Sequence, residues 1–103
     1  MAYLLRDDDI AEIESAFIAD IYADIDCIRA NNIENPLKVA KLLCISQCAH
    51  RLPQALTILH IRPHTPTGQV ANILLDIYIG LDHDPDDHQI ALARALFGIL
   101  NIS

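Results

Sequence analysis

Apolar residues recur every three or four positions through the first third of the chain, which is the spacing of one face of an α-helix. This stripe consists of Ile10, Ile13, Phe17, Ile21, Ile25 and Ile28. Three aspartates precede it at positions 7–9, where the positive end of the helix dipole favours acidic side chains. Asn31 and Asn32 follow it. The pattern predicts a leading amphipathic helix over about residues 8–30.

A capping residue stands directly before a proline at three places in the rest of the chain. These are Asn35-Pro36, Thr65-Pro66 and Asp84-Pro85. The side-chain oxygen of the first residue accepts a hydrogen bond from a free N–H of the first helical turn, and proline has a helical φ and no N–H to lose. We therefore expect helices over about 36–50, 66–79 and 85–100, and Gly80 is well placed to end the middle one. A shorter helix is predicted from Pro53 to about residue 60.

Two segments of the chain resemble each other and indicate a repeat. The six residues from Val39 to Cys44 match those from Val70 to Leu75, and the three starting at Gln54 resemble residues 89–92. A two-helix unit of roughly 34 residues is the period of tetratricopeptide (TPR) arrays, although two apolar helices also look alike over six positions by chance. With no alternating polar–apolar runs to predict strands, we expect a single all-α domain of about five helices stacked as TPR-like helical hairpins. Its leading helix would be followed by hairpin units at about 35–61 and 65–101.

The last two predicted helices are apolar on nearly all sides. Apolar side chains face both ways at Val70, Ile73, Leu74, Leu75, Ile77 and Ile79, and again at Ile90, Leu92, Leu96, Phe97 and Ile99. A surface helix normally buries one stripe and exposes the rest. Either these helices lie at the centre of the fold, or they are covered by a second chain. The second chain is then either a different protein or another copy of this one. Large exposed apolar patches mark interaction sites, and this favours a partner.

Composition and charge narrow the class of partner and the compartment. The chain has 103 residues and a net charge of −7, which argues against nucleic acid and against anionic membranes. The N-terminus lacks the basic-then-apolar layout of a signal peptide. The most apolar stretch, residues 73–81, is interrupted by Asp76 and is too short to span a bilayer. With three cysteines and no secretory signal, we expect a cytoplasmic protein with reduced thiols that binds other proteins.

Candidate metal and catalytic residues are weakly patterned. Cys44 and Cys48 followed by His60 and His64 have the spacing of a two-Cys, two-His zinc site. Both cysteines lie on one predicted helix, however, and Pro63 separates the histidines. The acidic segment 82–88 lacks the central glycine and distal glutamate of a calcium loop and is accounted for by acids at a helix start. No serine elbow or glycine-rich phosphate loop is present, so we expect no enzyme activity, no metal and no cofactor.

Three segments carry a resemblance to a known family. They are a helix with Cys44-Ile45-Ser46-Gln47-Cys48, a short turn to Gln54-Ala55-Leu56, and a proline-opened helix from Asn72 to Leu81 that precedes an Ala-rich helix. Together they resemble the small TPR-like chaperones of bacterial type III secretion that guard the needle subunit before export. The resemblance implies a non-enzymatic protein that holds the amphipathic C-terminal helix of the needle subunit in an apolar groove, with a second, very small helical co-chaperone in the complex.

On this resemblance, the second and fourth helices would form the groove and the first helix would hold the small partner. The expected groove residues are Leu43, Gln47, Leu74, Ile77 and Tyr78, and the expected second-partner face is Phe17, Ile21 and Ile25. Two other hypotheses stay open. The first is a homo-oligomeric helical adaptor or immunity-type inhibitor, in which the same apolar faces self-associate. The second is a metal-binding protein that uses the Cys, His and Asp clusters.

Overall fold

Five α-helices make up the described part of the chain. A computed structural model of the chain describes residues 6–82 and 87–102. The helices are α1 (Asp7–Ala30), α2 (Pro36–His50), α3 (Leu52–Ile61), α4 (Pro66–Ile79) and α5 (Asp87–Leu100). The described residues contain no strand, and the predicted all-α class with five helices is confirmed.

The helix starts follow the capping chemistry that the sequence predicts. The Asn35 side chain accepts a hydrogen bond from the Lys38 N–H at 3.1 Å. Thr65 Oγ1 accepts one from the Gly68 N–H, also at 3.1 Å. The third predicted cap, Asp84-Pro85, lies outside the described residues. Two capped prolines thus set the starts of α2 and α4.

Another group approaches the backbone closely at two glycines, and only at Gly68 is that group itself backbone. A Cβ at Gly68 would overlap the carbonyl oxygen of Arg62, so only glycine fits where the α3–α4 turn folds onto α4. A Cβ at Gly80 would overlap the side-chain amide of Gln89 on α5. Gly80 does end α4, but its φ of −91° is one that any residue adopts. Its role is therefore close packing against α5 rather than a left-handed cap.

Helix α1, about 36 Å long at 1.5 Å per residue, lies along α2 and then along α3. Asp24 contacts Gln47 of α2, and Asp20 contacts Arg51 at the α2–α3 joint. Asp7, at the start of α1, pairs with Arg62, just past the end of α3. Both α2 and α3 therefore run antiparallel to α1, one after the other. The chain bends at Arg51 between them, so α2 and α3 both contact α1.

Helices α4 and α5, in contrast, pack against each other as an antiparallel pair. Gly80 packs against Gln89 at one end, and residues 69–73 face Ala95 and Ile99 toward the other end, so α5 runs antiparallel to α4. Near the end of α5, Tyr22 Oη of α1 donates a hydrogen bond to the Leu100 carbonyl at 2.6 Å. Helix α2 contacts all four other helices and lies at the centre of the fold.

The core is built around two equivalent stretches of α2 and α4. Val39, Ala40 and Leu43 of α2 are fully buried, and so are the matching residues of the similar segment on α4, Val70, Ala71 and Leu74. The two helices meet where the Cys44 thiol donates a hydrogen bond to the Leu74 carbonyl at 2.9 Å. The internal similarity of the sequence thus corresponds to the two helices that pack against each other in the interior.

Candidate functional site

A surface cavity of about 510 Å³ lies where α1 passes the bend between α2 and α3. We call it the α1–α3 groove. Its lining residues are Asp9, Glu12, Ile13, Ala16 and Phe17 from α1, with Arg51 and Gln54 from the joint and α3. The groove exists because the straight α1 cannot follow the bend at Arg51 without leaving space beside it.

The α1 side of the groove combines an apolar floor with an acidic rim. Its residues are three or four positions apart, so they share one face of the helix. Ile13 is half-buried, Ala16 is exposed, and the buried Phe17 closes the bottom. Asp9 and Glu12 are both exposed at the rim. An apolar surface with charged edges is the usual chemistry of a site that receives an amphipathic segment.

The opposite side of the groove depends on Arg51, the single residue between α2 and α3. Its N–H donates to the Gln47 carbonyl at 2.6 Å, which ends α2, and its carbonyl accepts from the Ala55 N–H at 3.0 Å, which begins α3. Its Nε pairs with Asp20 Oδ2 at 3.0 Å. This one residue therefore sets the bend and joins it to α1.

The side-chain oxygen of Gln54 is a hydrogen-bond acceptor for which the described residues supply no donor. Its Oε1 is buried and has no hydrogen-bond partner among the described residues. A buried acceptor that stays unpaired costs about 1–3 kcal/mol. Because this oxygen has almost no accessible surface, an N–H group of a bound molecule reaches it only when the Gln54 side chain rotates toward the groove that it lines.

A polar contact between α1 and α2 adjoins the groove. Asp24 Oδ2 accepts hydrogen bonds from Ser46 Oγ and from Gln47 Nε2, both at 2.8 Å. Gln47 is only 3% exposed. A second cavity, of about 320 Å³, lies over this contact and shares Arg51 with the groove. The polar lining therefore extends about two turns further along α1.

The net charge of the protein is concentrated on the helix that forms the groove. Helix α1 carries eight of the fourteen acidic residues and one of the seven basic residues. The remainder of the chain has six of each, so the net charge of −7 belongs to α1. The groove therefore lies beside the helix that carries most of the acidic residues.

The structure does not bring the predicted groove residues to the surface. Leu43, Gln47, Leu74 and Ile77 are each at most 3% exposed, and Tyr78 alone is accessible, at 48%. Leu43, Leu74 and Ile77 face inward because α2 and α4 pack against each other and against α5, whereas Gln47 is covered by α1. The predicted partner groove between α2 and α4 is therefore wrong, and four of its five residues belong to the core.

The predicted second-partner face on α1 is also wrong. Phe17, Ile21 and Ile25 are at most 2% exposed. They form part of the same core cluster as α2 and α5 residues. These three side chains are covered by the chain's own helices, and of the three only Phe17 also reaches the floor of the α1–α3 groove.

The cysteines and histidines do not converge. No three histidine, cysteine or acidic side chains among residues 6–82 and 87–102 come close enough to hold a metal ion. His60 and His64 are exposed, whereas Cys44 is fully buried. Burial, together with the neighbouring Cys48, raises the pKa of the Cys44 thiol well above its ordinary range. Burial also raises the pKa of Cys48. Part of the acidic segment 82–88 lies outside the described residues.

Several apolar side chains remain accessible outside the groove. They are Tyr22, Leu42, Ile45, Leu56, Ile61, Tyr78 and Ile79, and Ile79 is the most exposed at 75%. They are spread over four helices, and isolated exposed apolar residues are normal in soluble folds. Helices α4 and α5 are otherwise covered by their neighbours, so their all-round apolar character reflects a central position more than a missing partner.

The sequence contains a signal for the groove that the periodicity argument does not use. Asp9, Glu12 and Ala16 flank the apolar stripe of α1 on one side only. Pro53, at the second position of α3, marks the place where the following chain bends away. Together these features indicate an acidic edge beside a break in the neighbouring helix.

The fold and site define a small all-α protein with a surface groove beside its longest helix. No helix in the described part of the chain is long and apolar enough to cross a membrane. Comparison of the chain with protein-family models, with curated proteins and with solved structures finds no match.

Proposed function

We propose that this protein is a non-enzymatic binding module that holds an amphipathic segment of another protein in the α1–α3 groove. The observation that carries the proposal is the groove itself, an accessible cavity with an apolar floor and polar walls. Cavities of about 300–1,000 Å³ with this character are typical binding sites. The groove replaces the predicted α2–α4 surface, whose residues are in the core.

The specific form of the proposal is a chaperone of a secretion-system subunit, such as a needle protein. It rests on the resemblance to small TPR-like type III secretion chaperones, which use helical scaffolds to cover an amphipathic helix of the subunit. A small helical co-chaperone would then occupy a second surface. In this form the protein acts in the cytoplasm, before export.

The test uses two matched variants of α1. Ala16 and Ala23 are both exposed alanines of the same helix, but only Ala16 lines the groove. We expect Ala16→Trp to fill the groove and to abolish co-purification with a co-expressed needle-type subunit, while Ala23→Trp leaves it unchanged. Circular dichroism and thermal unfolding would show that both variants fold.

Two results would contradict the proposal. Absence of any complex with the subunit would remove its chaperone form. Equal binding by Ala16→Trp, Ala23→Trp and the unaltered protein would show that the bound segment lies elsewhere, and would remove the groove as the binding site.

A second candidate function is self-association, and the exposed apolar residues at the end of α4 favour it. Ile79 is 75% exposed and Tyr78 is 48% exposed, next to each other on the chain. A homo-oligomeric adaptor or immunity-type inhibitor would bury them against a second copy. Light scattering on the unaltered protein and on Ile79→Ser distinguishes the cases. A dimer that Ile79→Ser dissociates supports the second candidate, and a monomer in both removes it.

A further inference from the structure

We infer that the segment bound in the α1–α3 groove is basic: it places an apolar side chain on Ile13 and Ala16 and presents lysine or arginine to Asp9 and Glu12. This inference rests on the proposed function and names the chemistry of the partner. Four observations carry it, namely the unneutralised charge at the rim, the unpaired acceptor, the length of the groove and the distribution of charge over the molecule.

No cation among the described residues pairs with the rim carboxylates. Glu12 makes no hydrogen bond or ion pair with the described residues, and Asp9 accepts only the Arg6 N–H, at 3.2 Å. The cation that lines the groove, Arg51, is already paired with Asp20. Among the described residues that line the groove, a bound segment therefore meets two carboxylates without an ion-pair partner and no unpaired cation.

The unpaired acceptor in the groove agrees with this charge pattern. Gln54 Oε1 is buried and lacks a donor among the described residues. Lysine and arginine side chains only donate hydrogen bonds, whereas a carboxylate only accepts them. When the Gln54 side chain rotates to expose Oε1 to the groove, a basic side chain can donate to it, whereas an acidic one would add a second unpaired acceptor beside it.

The length of the groove fits a helical segment. From Asp9 to Ala16 the lining of α1 extends over two turns, or about 10 Å. Two turns of a partner helix present apolar side chains at spacings of three and four, with their neighbours directed to either edge. One large apolar side chain fills the floor, and the basic residues one turn away reach the rim.

The charge distribution also favours a basic partner while the partner approaches the protein. Because the net charge of −7 resides on α1, the field of the protein attracts a positive segment toward this helix and repels a negative one. Such complementarity raises association rates at low salt and discriminates between partners. Acidic segments and nucleic acids are disfavoured for the same reason.

The experiment compares two labelled peptides of about 18 residues, long enough to form a helix. One carries leucine on one face and lysine on the other, and the second has glutamate in place of lysine. Fluorescence anisotropy is measured with the unaltered protein at low and at high salt. We expect the lysine peptide to bind at least about tenfold more tightly at low salt and to lose most of this advantage at high salt, because screening weakens exposed charge interactions.

Two variants with the same change in charge locate the site. Glu12→Lys alters the rim, and Asp26→Lys alters an exposed acidic position of α1 outside the groove. We expect Glu12→Lys to weaken binding of the lysine peptide about tenfold and Asp26→Lys to weaken it less than about threefold, since a contact charge contributes more than a distant screened one. Circular dichroism of both variants checks the fold.

The outcomes separate this inference from the proposed function. Equal affinity for the two peptides, or preference for the glutamate peptide, overturns the basic partner and leaves the binding module standing. If Glu12→Lys and Asp26→Lys weaken binding of the lysine peptide equally, the peptide is attracted to α1 in general. That result overturns the placement of the bound segment in the groove. Failure of both peptides to bind overturns the inference and counts against the proposed function as well.

Discussion

The two sides of α2 contact their neighbours in different ways. Toward α1, polar contacts add to the buried apolar side chains: Asp24 accepts from Ser46 and Gln47, and the adjoining joint residue Arg51 pairs with Asp20. Toward α4, fully buried residues meet, and the Cys44 thiol donates to a backbone carbonyl. Burying a large apolar side chain contributes about 1.5–3 kcal/mol, whereas exposed ion pairs contribute about 0–1 kcal/mol. Burial therefore stabilises both sides of α2, and the α1 side also has polar contacts that align the helices and leave an accessible polar surface.

The largest effect is expected in the apolar contact. Leu74→Ala should lower the free energy of unfolding by about 2–5 kcal/mol, because it leaves a cavity in the α2–α4 contact. Ile79→Ala, on the exposed end of the same helix, should change it by less than about 0.5 kcal/mol. Urea unfolding followed by circular dichroism measures both. Similar values for the two would mean that α4 does not pack as described.

A smaller loss is expected in the polar contact. Asp24→Ala removes the acceptor of Ser46 Oγ and Gln47 Nε2 and should cost about 1–3 kcal/mol, since Gln47 is buried. The matched control is Asp26→Ala, an exposed acid two residues away, for which we expect a change within about 0.5 kcal/mol. A loss that equals that of Leu74→Ala would erase the difference between the two sides of α2.

The Cys44 thiol gives the apolar side a pH dependence. Burial raises the pKa of this thiol, whereas an unfolded cysteine ionises near pH 8.5. The resulting stability is fully present below about pH 8.5 and decreases above it, by about 1.4 kcal/mol at pH 9.5, because only the unfolded state releases the proton. Urea unfolding of the unaltered protein and of Cys44→Ala should show their stability gap shrinking by this amount between pH 7.5 and 9.5. A difference in stability between the two proteins that stays constant over this pH range would mean that the Cys44 thiol is exposed to solvent in the folded state.

The smallest effect is expected for Arg51→Ala. The Arg51 and Asp20 side chains are 43% and 34% exposed, so their ion pair should contribute at most about 1 kcal/mol. Urea unfolding at low and at 0.5 M salt checks this, since about half a molar of salt screens such pairs. A loss above about 2 kcal/mol would show that the joint depends on this pair for its bend.

The sequence predicts the helices well because their signals are local. Asn35 and Thr65 cap α2 and α4, and the predicted bounds of α1, α2 and α4 agree with the structure. Helix α3 begins at Leu52, one residue before the predicted Pro53, because proline is tolerated at the second helical position as well as the first. Such boundaries depend only on neighbouring residues.

The candidate site was not predictable in the same way. Periodicity identifies the apolar face that contains Leu43 and Leu74, but it does not say whether that face meets the chain's own helices or another protein. The answer depends on how many helices surround α2, which is a property of the whole fold. The groove, similarly, follows from the bend at Arg51 seen against the straight α1.

The single-residue joint between α2 and α3 also governs where the length of this chain can change. One residue inserted at Arg51 would change the orientation of α3 relative to α2 and move Gln54 away from the groove. By contrast, the described turn of residues 31–35 separates α1 from α2 without lining the α1–α3 groove. Insertions should accumulate in that turn over evolution and be eliminated at Arg51.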